Sequence, residues 1–441
     1  GVQPGEPVAV TLPRGHNQVI AVLGILAAGG CYVPVGTHQP LVRQQRIHTT
    51  AGIRFTVTDP AHLDAVPGLA IDISYTDRFS PLEAPVPVSP NSPAYIIFTS
   101  GSTGEPKGVE MAHQATANTL DDINHRYGIH PDSRVLAVSA LDFDLSVYDL
   151  FGLLSAGGAV VMVDDAIRRD AAAWLSLINE HHVTVWNSVP VLLDMLMVVA
   201  ESQHLTLPFE QVLLSGDWIG MDIPQRLFAL NGHQVRLAAM GGATEAAIWS
   251  NTFDAFSPDT PLPEHWTSIP YGKPLANQVY RVVDAQGRDC PDWVPGELWI
   301  GGLGVATGYR GDDTLTQARF VQATSETVSG QPAMRWYRTG DQGRYWPDGN
   351  LEFLGRLDHQ VKVRGHRIEL GEVETALNSL SAIHRAVAVV LSPAGQPASL
   401  AAALLVDHTD DTDTEQFKAD VTDQLRALLP DYMVPSTLAL V

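Results

Sequence analysis

Short apolar runs rich in β-branched residues alternate with longer amphipathic segments over the first 250 or so residues. The pairs include "VAVTL" followed by "NQVIAVLGILAAG", "RVLAVSA" followed by "LSVYDLFGLLSAGG", and "VTVWNSV" followed by "PVLLDMLMVVAE". Strands and helices at this spacing are typical of βαβ units, in which crossover helices join parallel strands. We therefore expect a large α/β portion with parallel sheets, to which "QVLLSG" and "QVRLAAMGG" add further strands.

The hydrophobic pattern changes towards the C-terminal end. Between about residues 277 and 355, strand-like runs such as "GELWIGG" and "YWPDGNLEFLG" flank Gly and Asp-Gly turns, which predicts a β-rich, antiparallel closing part. From Asp358 onward, "QVKVRGHRIEL", the helix "GEVETALNSL", two apolar strands and the helix "TEQFKADVTDQLRALL" predict a small α+β unit. With "GRLDHQ" as the connection, we predict an N-terminal core over residues 1–356 and a mobile C-terminal subdomain over residues 357–441.

Composition and charge narrow the class of protein. The 441 residues are 45% hydrophobic, enough for more than one domain with a sizeable core. A formal net charge of −22 argues against a nucleic-acid or acidic-membrane partner. Cys31 and Cys290 are too few and too far apart for a disulfide framework, which fits a cytoplasmic protein. The apolar stretch "VIAVLGILAAGGCYVPVG" is broken by Gly-Gly and Pro34, which favours a buried βα element over a membrane span.

A flexible polar segment follows one of the apolar strands, in "YIIFTSGSTGEPKGVEMAH" at residues 95–113. A Gly-Ser-Thr-Gly loop exposes backbone N–H groups and hydroxyls that can bind phosphate oxygens, and Lys107 adds a positive charge. An ordinary surface turn is the alternative for an isolated loop of this kind. It is not a Walker A loop, because Gly108 follows Lys107 where Ser or Thr would stand.

Further motifs follow this loop or precede it in a characteristic order: "AAGGCYVPV", "LDFDLSVYDLF", "GGATEAAIWS", "GELWIGGLGVATGYRG", "YRTGDQGRYWPDGNLEFLGRLDHQVKVRGHRIELGEVE" and "LPDYMVP". Over nearly its whole length the chain resembles the adenylate-forming superfamily, and within it the adenylation domains of nonribosomal peptide synthetases. The resemblance implies an ATP-dependent, AMP-forming ligase. In this chemistry the carboxylate of an amino acid attacks the α-phosphorus of ATP and pyrophosphate leaves. The acyl group then passes to the phosphopantetheine thiol of a carrier protein.

The resemblance also implies a nucleotide site. Its members would be Ser100, Gly101, Ser102, Thr103, Gly104, Lys107, Gly241, Gly242, Thr244, Asp341 and Arg356. The loop would hold the β- and γ-phosphates, and Lys107, Thr244 and Glu245 would be the catalytic groups. Thr244 would bind the α-phosphate and Glu245 a Mg²⁺ ion that bridges phosphate oxygens. Asp341 would accept hydrogen bonds from the ribose diol, with a turn-capping role as the alternative.

The resemblance also assigns two residues near the predicted boundary to the second half-reaction, the transfer of the acyl group to the phosphopantetheine thiol. The resemblance makes Asp358 the hinge about which the small subdomain rotates. It assigns Lys362 to the surface that the thioester-forming step uses.

The amino-acid pocket is implied at nine positions: Asp144, Leu145, Tyr148, Asn187, Leu213, Ser215, Met240, Ile248 and Trp249. A carboxylate at Asp144 would pair with a substrate α-ammonium, whereas aryl-acid relatives carry Asn there. Its alternative role is to cap the helix that starts near Leu145. The whole set resembles pockets that activate cysteine, which usually have Leu in place of Met240. "TVWNSVP" and "LSGDWI" resemble domains that follow a heterocyclisation domain in thiazoline-forming assembly lines.

The sequence departs from the family pattern in two ways. Gly241 stands where the family has a Tyr near the adenine, and Ala239 where it has an Asn, so the usual stacking ring is missing. The family's catalytic lysine, expected beyond "LPDYMVP", and the leading part of its N-terminal region are also absent. We expect an excerpt of a longer polypeptide without a signal peptide, and poor adenylation by this fragment. A related acyl- or aryl-acid ligase, or a catalytically silent docking module, remain alternatives. A small activator protein is a further possible partner.

Overall fold

The β-branched runs of the N-terminal portion form the strands of two large sheets. The computed structural model describes residues 1–101, 104–232, 234–254, 256–257, 259, 262–263, 266, 269–323, 333–358, 360–392, 398–406 and 414–441. Within these residues the first sheet has seven strands: β1 (Pro7–Thr11), β2 (Cys31–Pro34), β3 (Phe55–Thr58), β4 (Leu69–Asp72), β5 (Pro93–Thr99), β6 (Lys107–Ala112) and β16 (Gly308–Tyr309). Their order is β16-β6-β5-β2-β1-β3-β4, parallel from β5 to β4 and antiparallel at β6 and β16.

The second sheet has the same plan of a parallel centre and an antiparallel edge. Its strands in the described residues are β7 (Arg134–Ala137), β8 (Ala159–Met162), β9 (Val185–Ser188), β10 (Gln211–Leu214), β11 (Arg236–Gly241), β12 (Asn251–Phe253) and β13 (Lys273–Pro274). The order is β13-β12-β11-β10-β9-β7-β8, with parallel pairing from β11 to β8. The carboxyl ends of β9, β10 and β11 therefore meet at one edge, where ligands of open α/β sheets bind.

Helices connect the strands, most as crossovers between parallel neighbours and one, α3, between the two sheets. They are α1 (His16–Ala27), α2 (Leu41–Ala51), α3 (His113–Tyr127), α4 (Leu145–Val147), α5 (Leu153–Ser155), α6 (Ala171–His181), α7 (Pro190–Ser202) and α8 (Ile223–Asn231). Local chemistry sets several of their ends. Asp170 caps α6 by accepting from the N–H groups of Ala172 and Ala173, and Pro190 opens α7, where a missing N–H costs nothing. None of the described helices combines the length and apolar character needed to cross a membrane.

An antiparallel sheet closes the core. It consists of β14 (Gln278–Val283), β15 (Gly296–Gly302), β17 (Phe320–Ala323), β18 (Met334–Tyr345) and β19 (Leu351–Arg356), with α9 (Asp313–Arg319) leading into β17. Buried side chains of this sheet, such as Tyr280 and Leu298, share one apolar cluster with Val8 and Val135 of the two large sheets. The three sheets thus form a continuous core.

The C-terminal residues build a smaller unit with its own apolar core. Its elements are the hairpin β20 (Gln360–Val363) and β21 (His366–Glu369), α10 (Leu370–Asn378), β22 (Arg385–Leu391), β23 (Ser399–Leu405), α11 (Thr414–Arg426) and β24 (Thr437–Leu440). Ile368, Val373 and Leu425 are buried at its centre. The predicted fold class, parallel sheets followed by an antiparallel part and a small α+β unit, is confirmed. The division at residues 356 and 357 stays a prediction.

Candidate active site

A cavity lies where the carboxyl ends of β10 and β11 meet the antiparallel sheet and the β20–β21 hairpin. It is lined by Phe143, Asp144, Leu145, Ser215, Gly216, Asp217, Trp218, Ile219, Ala239, Met240, Gly241, Gly242, Ala243, Thr244, Ile248, Trp249, Ile269, Pro270, Tyr271, Tyr337, Thr339, Asp341, Phe353, Arg356, Gln360, Lys362, Gly365 and Arg367. Residues predicted for the amino acid and residues predicted for the nucleotide therefore face one space.

The structure divides the nine predicted pocket residues into two groups. Six of them line the cavity: Asp144, Leu145, Ser215, Met240, Ile248 and Trp249. Tyr148, Asn187 and Leu213 are buried but do not line it. The ring of Tyr148 packs against Trp249, with 5.1 Å between ring centroids. These three residues support the wall from behind.

Asn187 is engaged within the protein. Its Nδ2 donates to the carbonyl of Leu145 (3.2 Å) and to Oδ1 of Asp149 (2.8 Å). Burial raises the pKa of Asp149 to about 8, which outweighs the stabilisation of its carboxylate by Asn187. The amide of Asn187 thus holds a buried acid next to the helical turn of the pocket. Among the predicted pocket residues, Ser215 is the uncharged polar residue that lines the cavity. The Oγ of Ser215 accepts a hydrogen bond from Nε1 of Trp249 (2.9 Å).

Asp144 is a buried carboxyl group beside the apolar side chains of Leu145, Met240 and Ile248 in the lining of the cavity. It is 6% exposed, and burial raises its pKa to about 6. Its Oδ2 accepts a hydrogen bond from Oγ1 of Thr244 (2.7 Å). Although Asp144 precedes α4, its side chain makes no capping hydrogen bond there in the described structure. A buried carboxylate is costly without a cationic partner, so this position suits a positively charged ligand group.

Glu245 is fully buried and ionised. It accepts hydrogen bonds from the Tyr309 hydroxyl (2.7 Å) and from Nη1 of Arg367 (2.9 Å). Burial alone would raise its pKa, but the charges of Arg367 and Lys107 prevail and lower it to about 2. An ionised carboxylate is a preferred ligand of Mg²⁺, and a magnesium ion bound to a nucleotide takes most of its ligands from phosphate and water. Glu245 therefore fits the predicted metal role.

The predicted phosphate loop contacts the small C-terminal unit. Ser100 Oγ donates to the carbonyl of Arg367 (2.9 Å), and the N–H of Gly101 donates to Oε2 of Glu372 (3.1 Å). Glu372 also forms a buried ion pair with Arg43. Gly104 approaches α10 so closely that a Cβ there would lie 2.9 Å from Cγ2 of Thr375. Ser102 and Thr103 lie outside the described residues.

Lys107 pairs with the small unit in the same way. Its Nζ lies 3.3 Å from Oε1 of Glu369, and both side chains are largely buried. Burial lowers the pKa of Lys107, and the nearby charge of Arg367 lowers it further. In this arrangement Lys107 and Glu245, predicted to bind phosphate and magnesium, are thus paired with Glu369 and Arg367 of β21.

Asp341 and Arg356 face each other across β18 and β19. Nη1 of Arg356 donates to Oδ1 of Asp341 (2.6 Å), while its Nε and Nη2 bind both oxygens of Asp358 (2.9 and 2.6 Å). Arg356 therefore links the predicted ribose carboxylate directly to the predicted hinge.

Sequence reasoning did not single out Arg367 or Tyr271. Arg367 lies within "KVRGHRIE", a two-stranded hairpin in which charged residues are interspersed with uncharged ones. This pattern could have indicated that the hairpin presents charges to a neighbouring site. Tyr271 gave no such signal, because its place beside Gly241 depends on a contact between distant segments.

Gly241 and Gly242, both predicted for the nucleotide site, line the cavity. A Cβ on Gly242 would lie 2.8 Å from the Cα of Trp249, so the main chain passes too close there for a side chain.

Comparisons with known proteins assign the chain to a family. Residues 1–310 match the sequence profile described as AMP-binding enzyme, so the chain belongs to this family. Among solved structures, the nonribosomal peptide synthetase FmoA3 bound to alpha-methyl-L-serine-AMP is 40% identical, with a TM-score of 0.74 over 85% of this chain and 41% of that chain. NpsA-ThdA, a fused adenylation–PCP di-domain from Klebsiella oxytoca, shares the fold at 24% identity, with a TM-score of 0.83 over 99% of this chain and 84% of that one.

Curated relatives point to the same class. "Anguibactin system regulator" of Vibrio anguillarum is 49% identical over 99% of this chain and 41% of its own length. Pyochelin synthetase PchE of Pseudomonas aeruginosa is 52% identical over 92% of this chain and 27% of its own length. Phenyloxazoline synthase MbtB of Mycobacterium tuberculosis is 44% identical over 100% of this chain and 30% of its own length. The chain thus spans 27–41% of these relatives. It is an ATP-dependent, AMP-forming ligase of the nonribosomal peptide synthetase adenylation type.

Proposed function

We propose that the chain activates L-cysteine. The cysteine carboxylate attacks the α-phosphorus of ATP, pyrophosphate leaves, and the cysteinyl group of the resulting cysteinyl-AMP passes to the phosphopantetheine thiol of a carrier protein. The observation that carries the proposal is the shared cavity, in which Asp144 and the apolar pocket wall face the same space as Thr244 and Asp341. One cavity can therefore hold an amino acid and a nucleotide side by side.

Recognition of the amino acid rests on charge and size. The carboxylate of Asp144 binds the α-ammonium group, which offsets the cost of its burial. Leu145, Met240 and Ile248 supply an apolar wall, and Trp249, backed by Tyr148, limits depth. A small, weakly polar side chain suits this space, with the hydroxyl of Ser215 as its polar neighbour. An aryl acid has no ammonium group for Asp144, which disfavours the related aryl-acid ligase.

The residues assigned to the nucleotide bind its phosphates and its ribose. Lys107 and the loop at Ser100 and Gly101 bind the β- and γ-phosphates, and Asp341 binds the ribose diol. Glu245 would hold a Mg²⁺ ion, which would neutralise charge on the phosphate oxygens. In the structure Glu369 and Arg367 of β21 pair with Lys107 and Glu245. These pairs must separate before phosphate and Mg²⁺ can bind, so we infer that the small unit moves between half-reactions by rotating about Asp358.

Partners follow from the chemistry of the relatives. The name of MbtB denotes an oxazoline, a ring that a hydroxy amino acid forms, and PchE is named for pyochelin. A cysteine thiol in the equivalent cyclisation gives a thiazoline. We infer a heterocyclisation domain upstream, a carrier protein, and a siderophore-like product, with a small activator protein as an additional partner.

The test uses stable aminoacyl-AMP analogues in which a sulfamate replaces the phosphate. Calorimetry should show that the cysteinyl analogue binds the chain about 10- to 200-fold more tightly than the seryl, alanyl or valyl analogues. Tighter binding of any of these three would refute cysteine as the substrate. Failure of every analogue to bind would refute the adenylation site itself.

A further inference from the structure

The cavity wall beside Gly241 is aromatic, although Gly241 itself carries no ring. A Cβ placed on Gly241 would lie 3.1 Å from Cε1 of Tyr271 and 2.6 Å from Oδ1 of Asn251. The ring of Tyr271 thus reaches the space into which a side chain at position 241 would project. Asn251 leaves no room for a larger residue at position 241. The absence of a side chain at Gly241 therefore leaves the Tyr271 ring as the aromatic group at this point of the wall.

Tyr271 is held in a stacked pair. Its ring lies parallel to that of Phe353, with 5.1 Å between centroids and 9° between planes. The N–H of Tyr271 donates to the carbonyl of Leu351 (2.8 Å), two residues before Phe353, so the main chain sets the position of both rings. Both side chains are half-buried and line the cavity that contains Asp341 and Arg356.

The aromatic surface continues towards solvent. Trp218 is 53% exposed, lines the same cavity, and packs against Phe353 with 5.3 Å between centroids. Flat aromatic faces attract nucleobases because each base offers a complementary π-face. The neighbouring carboxylate of Asp341 supplies the acceptor-only group that suits a ribose diol.

We propose that Tyr271 supplies the ring that position 241 lacks, and that the Tyr271–Phe353 pair binds the adenine base of ATP. The inference rests on the proposed function, because it places a base beside the ribose and phosphate groups assigned there. Stacking on a side chain from a separate segment replaces stacking on the residue before Gly242.

The experiment compares ATP and CTP binding to the chain by calorimetry. Tyr271→Leu keeps apolar bulk but removes the ring, and should weaken ATP binding by about 5- to 150-fold. It should also reduce the preference for ATP over CTP, because the larger purine stacks more extensively. Tyr271→Phe keeps the ring and should bind ATP like the unsubstituted chain. Tyr75→Leu, which removes an exposed ring elsewhere, is the matched control.

Each outcome decides the inference. An unchanged ATP affinity in Tyr271→Leu would overturn it. Equal loss of affinity for ATP and CTP would also overturn it, because the Tyr271 ring would then only hold the two segments together and would not contact the base. If thermal denaturation shows that Tyr271→Leu is unfolded, Phe353→Leu provides the same comparison. An unsubstituted chain that binds no ATP would overturn the proposed function as well, which distinguishes the two failures.

Discussion

In the proposed site, Glu369 and the triphosphate of ATP compete for Lys107. The Lys107–Glu369 pair spans 3.3 Å, and the side chains are only 12% and 8% exposed. Glu369 also accepts a hydrogen bond from Gln360. Glu369→Gln keeps the shape of the side chain and removes its charge, so it weakens the arrangement in which the β20–β21 hairpin covers the phosphate groups.

The size of the effect follows from the geometry. Removing one partner of a buried ion pair costs about 3–5 kcal/mol when the remaining charge is stranded. Lys107 keeps Glu245 as an attractive neighbour, so we expect about 1–2 kcal/mol. The apparent dissociation constant of ATP equals its intrinsic value divided by the fraction of molecules open to it. When most molecules have the β20–β21 hairpin over the phosphate groups, a loss of about 1–2 kcal/mol from that state should tighten ATP binding in Glu369→Gln by about 5- to 30-fold.

The assay is calorimetric titration with ATP and with AMP. AMP lacks the β- and γ-phosphates and does not compete with Glu369, so its affinity should stay the same. The matched control is Glu415→Gln, which neutralises a carboxylate 2.9 Å from Lys418 on the surface of the small unit. Unchanged or weaker ATP binding in Glu369→Gln would show that the hairpin and the triphosphate do not compete.

Three further predictions concern buried or boundary carboxyl groups. Asp144→Asn should weaken amino-acid binding by about 10- to 150-fold. In the unsubstituted chain this affinity should rise as pH increases through about 6, where Asp144 ionises; calorimetry across pH should find the variant flat. In a protein extended through the family's C-terminal lysine element, Asp358→Pro should preserve one half-reaction and block the other in separate pyrophosphate-exchange and thioester assays, whereas equal loss of both would contradict the hinge. Asp149 has a pKa raised from 3.8 to about 8, so the folded state keeps a proton that the unfolded chain releases, and stability should fall as pH rises through this window. Asp149→Asn should flatten that part of the melting-temperature profile, whereas the surface control Asp423→Asn should not.

The layered fold could be predicted because apolar periodicity reports directly on burial. Runs such as "RVLAVSA" and "PVLLDMLMVVAE" became β7 and α7 within a few residues of their expected ends. The segment "LSVYDLFGLLSAGG" was less predictable, since a π-helical turn at Tyr148–Gly152 interrupts its α-helix. A Cβ on Gly152 would lie 2.7 Å from the Tyr148 ring. Periodicity along the chain does not register such contacts between side chains of one turn.

The candidate site could be proposed only through the resemblance to a family. That resemblance assigned roles in one reaction to Asp144, Thr244 and Asp341, although nothing in their spacing brings them together, and the structure places all three on one cavity. It did not predict that Arg367 would pair with Glu245, or that Tyr271 would lie beside Gly241. Both contacts depend on how separate segments pack in three dimensions, which short motifs do not record.

The hydrogen bond from Thr244 to Asp144 has a consequence for how the binding of one substrate affects the binding of the other. It joins the group proposed for the α-phosphate to the group proposed for the ammonium of the amino acid. An amino acid whose ammonium pairs with Asp144 weakens the hydrogen bond that Asp144 accepts from the Thr244 hydroxyl. A nucleotide that takes this hydroxyl as a donor removes one hydrogen bond from the Asp144 carboxylate. We therefore expect each substrate to alter the affinity of the other, and thermodynamic reciprocity makes the two factors equal. With the proposed assignments, this one contact, 2.7 Å long, would make the two substrates mutual effectors through directly bonded side chains.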